Sequence, residues 1–375
     1  SSTCGPCVEV NATMHALTEA NPDKYTYVKY AMNWPAIGDP YFNNDGDIKK
    51  SFYNVSAVPT IFVDGFTTIS GIVTQEDIDA AINAPSIADI RGSFTTDGNT
   101  INIIADFMSY IDLQNLSAFI SVNEKTTTEN TGSNGETEFH HIMMKMFDNA
   151  EGNDLNINAG EYQRFEFSYD MAQTDVEDIN DLEVALWIQD KESKKVFNSR
   201  FAYEYSEHVY PIENLQFEYD GVNKLKASWE APQNGNPSGY DIYINNILVE
   251  ENTTALSHDI IFDESGMKTV EVVAKYGDKS SIGIIDFIDF VIDIDENEVN
   301  EFSIYPNPAR DLVKLSAVSH QLSAVKIYNC LGMIVEEIEV NANDIEINVS
   351  GYKSGVYFIN IESAAGNITK KLMIE

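Results

Sequence analysis

Two cysteines spaced by a Gly-Pro pair, Cys4-Gly5-Pro6-Cys7, are the residues of this 375-residue chain best suited to chemistry. A thiol becomes a nucleophile on losing its proton, and the unpaired N–H groups and positive dipole end at a helix N-terminus favour the thiolate. Cys4 is the candidate attacker. Cys7, three residues on, lies near enough to resolve a mixed disulfide by intramolecular attack. Gly5 lets the turn close, and Pro6 suits the first helical turn, where its missing N–H costs little. Such a pair cycles between dithiol and disulfide with no cofactor beyond the Cys4–Cys7 disulfide itself. An inert structural disulfide, half of a zinc site, and coincidence stand beside the redox reading. Zinc needs four ligands, and His15 is the one nearby addition, with no second Cys-x-x-Cys and no His-x-x-His in the sequence, so no metal is expected.

The elements that must position this pair follow from local pattern. Val8, Val10, Met14 and Leu17 predict a helix from Cys7 to Leu17, with a polar exit from Thr18 to Lys24. Tyr25 to Met32 reads as a strand, Asn33 to Gly46 as a loop, and Asp47 to Tyr53 as a short helix. Thr60 to Val63 is an apolar strand closed by the turn pair Asp64-Gly65, with Thr67 to Ile72 as its returning partner. A helix follows from about Gln75 to Asn83, with Thr74 as its N-cap. After Pro85 the texture changes to strand-like runs, Ser93 to Phe107, Ser117 to Glu124, Glu138 to Phe147, Gln163 to Tyr169 and Leu182 to Asp190, divided by polar turns. Further strands, clearest at Leu225 to Trp229, Tyr240 to Ile244 and Thr269 to Tyr276, lead through an acidic linker, Asp293 to Asn300, to a last β unit of about 75 residues.

With these elements in place, the Cys4-Gly5-Pro6-Cys7 site resembles that of the thioredoxin superfamily. Val58-Pro59-Thr60-Ile61-Phe62-Val63-Asp64-Gly65 is similar to that family's segment in which a cis-proline faces the cysteines. The resemblance implies that Pro59 joins Cys4 and Cys7 in the catalytic set, supported by Gly5, Pro6, Val58 and Thr60, and that the Val58 backbone turns toward Cys4 to pair with a substrate strand. Thr3 departs from the usual Trp. The family also places a central strand before the cysteines, whereas three residues precede Cys4, so the first strand is expected to be missing. Residue 1 is Ser, with no initiating Met, which fits either a removed signal peptide or a fragment.

The order of elements from Cys4 to about Tyr205 resembles a Bacteroidetes-type outer-membrane family that joins a thioredoxin-like domain to a β-sandwich, matched at Asp39-Pro40-Tyr41, Tyr53-Asn54-Val55 and Phe139-His140-His141-Ile142-Met143. Adjacent His140 and His141 on a strand point to opposite faces, so one buried and one exposed histidine is expected rather than a metal pair. Pro211 to Ile292 resembles a fibronectin type III module with Trp229 as its core plug. Phe302 to Ala309, Val325 to Asn329, Leu331-Gly332, Ser354 to Tyr357 and Lys370 to Leu372 resemble a type IX secretion sorting domain, in which Cys330 becomes a core or edge thiol. That resemblance implies the type IX export machinery as a partner and a secreted or outer-membrane, cell-surface location. The expected architecture is multidomain: an α/β thioredoxin-like domain (1–85), then all-β sandwich domains at 86–208, 209–293 (fibronectin type III-like) and 300–375 (sorting domain).

Bulk properties narrow the partners. With 23 Lys and Arg against 60 Asp and Glu, the net charge of -37 opposes binding to nucleic acid or anionic lipid and favours solubility. No apolar run nears the ~20 residues of a membrane helix, because Asp286, Asp289 and Asp293 interrupt the most hydrophobic stretch, Ile282 to Ile294. Asp293 to Asn297 lacks the glycine and terminal carboxylate of a calcium loop. Two functions remain: an exported thiol–disulfide oxidoreductase acting on a disulfide-containing protein or small thiol, and a cell-surface binding or adhesion protein in which the thioredoxin-like domain is redox-inert.

Overall fold

A computed structural model describes residues 1–67, 72–84, 86–130, 132–205, 207–219, 223–291, 302–317, 321–363 and 366–375. The chain divides into two compact units, residues 1–108, 113–157 and 162–208 in one, and 109–112, 158–161 and 209–375 in the other. Strand outweighs helix by 52% to 10%. Among the described residues the molecule is mostly β, with several sandwich sheets, and an α/β thioredoxin-like domain is not shown.

Two of the three described α-helices in the first unit begin where a side chain takes up a free N–H group. α1 (Cys7–Glu19) opens directly after Pro6 and buries Met14 against Val73 and Ile78. α2 (Asn44–Phe52) starts three residues earlier than predicted, because Asn43 accepts from the Gly46 N–H at 3.0 Å and caps it. α3 (Gln75–Ile82) carries the predicted Thr74 cap, closed by Asp77 into a capping box. Between them, β1 (Phe62–Val63) and β2 (Phe66–Thr67) form a two-residue hairpin. Its turn residues Asp64 and Gly65 both have positive φ, 45° and 84°. Most of the predicted Thr67 to Ile72 partner lies outside the described residues.

Tyr25 to Met32 does not form the predicted strand. It makes one bridge, in which Lys29 N–H donates to His141 O at 2.8 Å and Met143 N–H donates to Lys29 O at 2.9 Å. Its partner is thus a strand of the following sandwich. Among the described residues 1–84, no central thioredoxin-type sheet is present.

The sandwich of the first unit comprises β3 (Ala88–Asp97), β4 (Thr100–Ser109), β5 (Leu113–Thr127), β6 (Phe139–Phe147), β7 (Asn153–Ile157), β8 (Tyr162–Asp170), β9 (Leu182–Asp190), β10 (Val196–Phe201) and β11 (Tyr203–Glu204). One sheet runs β10-β9-β5-β6 with β7 also on β5, and the other β11-β3-β4-β8. The run read as a single strand from Ser93 to Phe107 is two, reversing at Gly98 (φ 57°). Gly92 brings β3 so close to β9 that a Cβ there would stand 2.6 Å from Leu186 Cδ1. The outer face of β9 and β5 is covered as well: Phe119, Met143, Ala185 and Trp187 pack against Val28, Tyr30, Ile48 and Phe52. Coverage on both faces explains why eight of the nine residues of β9 are buried rather than alternating.

The second unit contains two seven-stranded groups. β12 (Glu213–Tyr219), β13 (Lys224–Glu230) and β16 (Ser257–Ile261) form one sheet, and β15 (Ile247–Thr253), β14 (Gly239–Ile244), β17 (Gly266–Tyr276) and β18 (Lys279–Phe290) the other. Trp229 is 4% exposed and meets Tyr240 edge-on at 5.6 Å, filling the core as expected. The same three-plus-four arrangement recurs as β19 (Phe302–Tyr305), β20 (Leu312–Ala317) and β23 (Asp344–Asn348) with β22 (Ile334–Ala342), β21 (Leu322–Asn329), β24 (Gly355–Ser363) and β25 (Gly366–Ile374). Val313, Leu315, Val325, Ile327, Ile359 and Leu372 form its core. The Asp293 to Asn300 linker lies outside the described residues. No helix among the described residues is long and apolar enough to cross a membrane.

Candidate functional site

The predicted cysteines come together at the start of α1. Cys4 and Cys7 are joined as a disulfide, and the turn is closed by Cys7 N–H donating to Cys4 O at 3.2 Å and Val8 N–H donating to Gly5 O at 3.2 Å. Gly5 and Pro6 are exposed at the turn. The Val58–Pro59 bond is cis, and Cys4 Sγ lies 3.9 Å from the Val58 carbonyl oxygen. Thr60 sits beside this loop, with its hydroxyl donating to Ala57 O at 2.8 Å. The Cys pair and the Val58-Pro59 loop therefore face each other across more than fifty residues of sequence.

The same segment is enclosed to a degree that the sequence does not signal. Cys4 is 1% and Cys7 4% exposed. Residues 132–138, between β5 and β6, are bonded to the backbone just before and at Cys4 and to α1. Asn134 N–H donates to Ser2 O at 3.2 Å, and its side-chain amide donates to Ser1 O and Cys4 O, each at 3.3 Å. Asn134 also donates to Glu136 at 2.5 Å, and Glu136 is held from α1 by Asn11 at 2.8 and 3.2 Å. Beneath, Thr3 Oγ1 donates to Ala36 O at 3.0 Å, and Asp39 accepts from the Ser2 N–H at 2.8 Å. Thr3 thus spends its hydroxyl on a neighbouring loop.

His140 and His141 are both half-buried, which corrects the one-in, one-out expectation. Both faces of β6 are covered here. His140 stacks on His15 of α1 with ring centroids 4.0 Å apart, while His141, at φ 57°, lies 2.7 Å from Glu183 of β9. Burial, and then the neighbouring His15, lower the His140 pKa. Among the described residues no group of three or more His, Cys, Asp or Glu is arranged to hold a metal ion. Cys330 is half-buried and outside any disulfide, and burial pushes its thiol up to about 11, which leaves it a poor nucleophile.

Sequence reasoning missed a Ser–His–Asp arrangement. Ser93 Oγ lies 2.9 Å from His208 Nδ1, and His208 Nε2 lies 3.0 Å from Asp106 Oδ2. All three residues are buried, and Arg164 takes up the Asp106 charge through two bonds of 2.7 and 2.9 Å. The network fastens the His208 segment to β3 and β4 without presenting a nucleophile to solvent. His208 is more than a hundred residues from both Ser93 and Asp106, and no spacing rule connects them.

The class of protein is given by the C-terminal unit: residues 303–375 match the family described as secretion system C-terminal sorting domain. The chain is a secreted or cell-surface protein that leaves the cell by the type IX machinery. Its relatives in sequence include ulvan lyase NLR42 of Nonlabens ulvanivorans, 29% identical over 84 residues, 22% of this chain and 16% of that protein. Beta-agarase A of Zobellia galactanivorans is 32% identical over 80 residues, 21% of this chain and 14% of that protein. The chain thus spans less than a fifth of the length of these relatives. Among solved structures, HBP35 of Porphyromonas gingivalis has a TM-score of 0.45 at 15% identity, covering 78% of this chain and 95% of that one. A two-domain fibronectin type III segment of chicken tenascin has a TM-score of 0.21 at 14% identity, covering 44% of this chain and 99% of that one. Neither likeness is strong enough to carry an argument. The thioredoxin-like expectation rests on the local geometry of Cys4, Cys7 and Pro59 alone.

Proposed function

We propose that this chain is a cell-surface binding protein whose β-sandwich modules make the contacts, and that its Cys4–Cys7 pair is kept as a closed disulfide. The burial of both cysteines carries this reading, because a thiolate must reach a sulfur in line with the S–S bond, and neither sulfur-bearing residue faces solvent. The sorting domain supports the surface location. The purified protein, assayed for catalysis of insulin reduction by dithiothreitol, is expected to add nothing to the uncatalysed rate, and Cys4→Ser to behave like the parent. Turnover that disappears in Cys4→Ser would overturn the reading.

One observation favours the second reading, an exported thiol–disulfide oxidoreductase: Cys4 Sγ faces the Val58 carbonyl beside a cis-proline. In that reading Cys4 attacks the disulfide of a protein or small molecule, Cys7 resolves the mixed disulfide, and the Val58-Pro59 loop docks the substrate strand. Equilibration with glutathione buffers separates the two. A potential between about -120 and -270 mV fits the oxidoreductase, and one below about -300 mV fits a staple.

A further inference from the structure

We propose that residues 132–138 are a strap that shuts the Cys4–Cys7 disulfide away from external thiols, and that releasing the strap makes the disulfide reactive. The inference rests on the closed-disulfide reading above and adds what does the closing. Gly132 lies against the Ser2 backbone so closely that a Cβ there would stand 1.9 Å from Ser2 O, a contact only glycine permits. Asn134 is the plug: its side-chain amide reaches Cys4 O, and its backbone N–H reaches Ser2 O. Glu136 ties this plug to Asn11 on α1, the helix that carries Cys7. One line of hydrogen bonds therefore runs from α1 through the strap to the disulfide turn.

The closure is incomplete in its polar bonding. Ser2 Oγ, Thr127 Oγ1 at the end of β5, and both side-chain polar atoms of Asn130 just beyond it are buried and find no partner among the described residues. Buried polar groups left unpaired oppose the closed state, because water would bond them once the strap lifts. An element fixed by a few side-chain bonds over unsatisfied groups opens at lower cost than a packed strand.

Opening would permit ordinary exchange. A dithiothreitol thiolate attacks one protein sulfur, the S–S bond breaks, and the displaced protein thiolate takes a proton. The reagent's second thiol then displaces the other protein sulfur, so the protein gains two electrons and two protons and the reagent leaves as its cyclic disulfide.

The test is the rate at which dithiothreitol reduces the Cys4–Cys7 bond in the full chain, read by maleimide labelling and mass spectrometry, for wild type, Gly132→Ala and Asn134→Ala. Wild type is expected to be reduced at least about a hundredfold more slowly than the urea-unfolded chain. Each variant is expected to be about tenfold faster than wild type, which corresponds to roughly 1.4 kcal/mol of lost closure. A slow wild type with equally slow variants overturns the strap and leaves the closed disulfide standing. A wild type as fast as the unfolded chain overturns both. Hydrogen exchange of the Asn134 amide in the wild type tests the strap without a variant: its opening constant is expected to match that from reduction within about threefold, and an amide about a hundredfold more open than the disulfide would overturn the coupling.

Discussion

Lys49 illustrates how a single residue departs from what its sequence context advertises. Flanked by Ile48 and Lys50 on a short polar helix, it reads as a solvated charge, yet it is 1% exposed. Its Nζ lies 3.8 Å from the Phe119 ring centroid, 4.3 Å from Phe52, and 5.4 Å from both Trp187 and Tyr53, with no hydrogen-bond partner among the described residues. Burial first, and then Lys194 and Lys191, hold the amine well below the usual lysine range. The folded chain binds fewer protons than the unfolded one at every pH between that depressed value and the ordinary 10.5. Stability is therefore lost as the pH falls through this window, and below it the full penalty is present. Lys49→Met keeps the volume and removes the ionisable group. It is expected to stabilise the protein at pH 7 by roughly 1–4 kcal/mol, the range found when buried charges are replaced by apolar residues. Thermal unfolding at pH 7 and pH 10 checks this, since the gain should shrink at the higher pH.

At the scale of elements, legibility follows sequence distance. The Thr74 cap of α3 was readable because the capping box is completed within three residues, Thr74 N–H donating to Asp77 at 2.8 Å. Thr74→Ala is expected to cost about 1 kcal/mol. A lowered melting temperature of the first unit, with the second unchanged in calorimetry, would register it. The Asp64-Gly65 turn was legible for the same local reason. Tyr25 to Met32 was not. Its Tyr and Val content marks an extended segment, but whether such a segment becomes a strand depends on the edge it meets, and here it meets β6 at the single residue Lys29.

For the whole molecule, the sorting tail indicates where it works. Deletion of residues 303–375 is expected to abolish arrival at the cell surface, with the product retained in the periplasm; fractionation and immunoblotting distinguish the two compartments. Three strands of the first seven-stranded group, Leu225 to Trp229, Tyr240 to Ile244 and Thr269 to Tyr276, were legible in the sequence, and Trp229 fills the core there. A charge of -37 favours solubility in so β-rich a chain.

The sequence by itself determined the helix that begins at Cys7, the Asp64-Gly65 turn, the Thr74 cap, the β character after Pro85 and the sorting tail, because each is written in patterns spanning a few to a few dozen residues. Only the tertiary structure decided that the Cys pair is buried, that Lys29 bridges to a strand of the sandwich, and that Lys49 and the Ser93–His208–Asp106 network are buried. Those outcomes depend on which distant surfaces meet. Asn134 can close over Cys4 only after β5 and β6 have brought a loop 130 residues away onto α1, and no local propensity encodes that encounter.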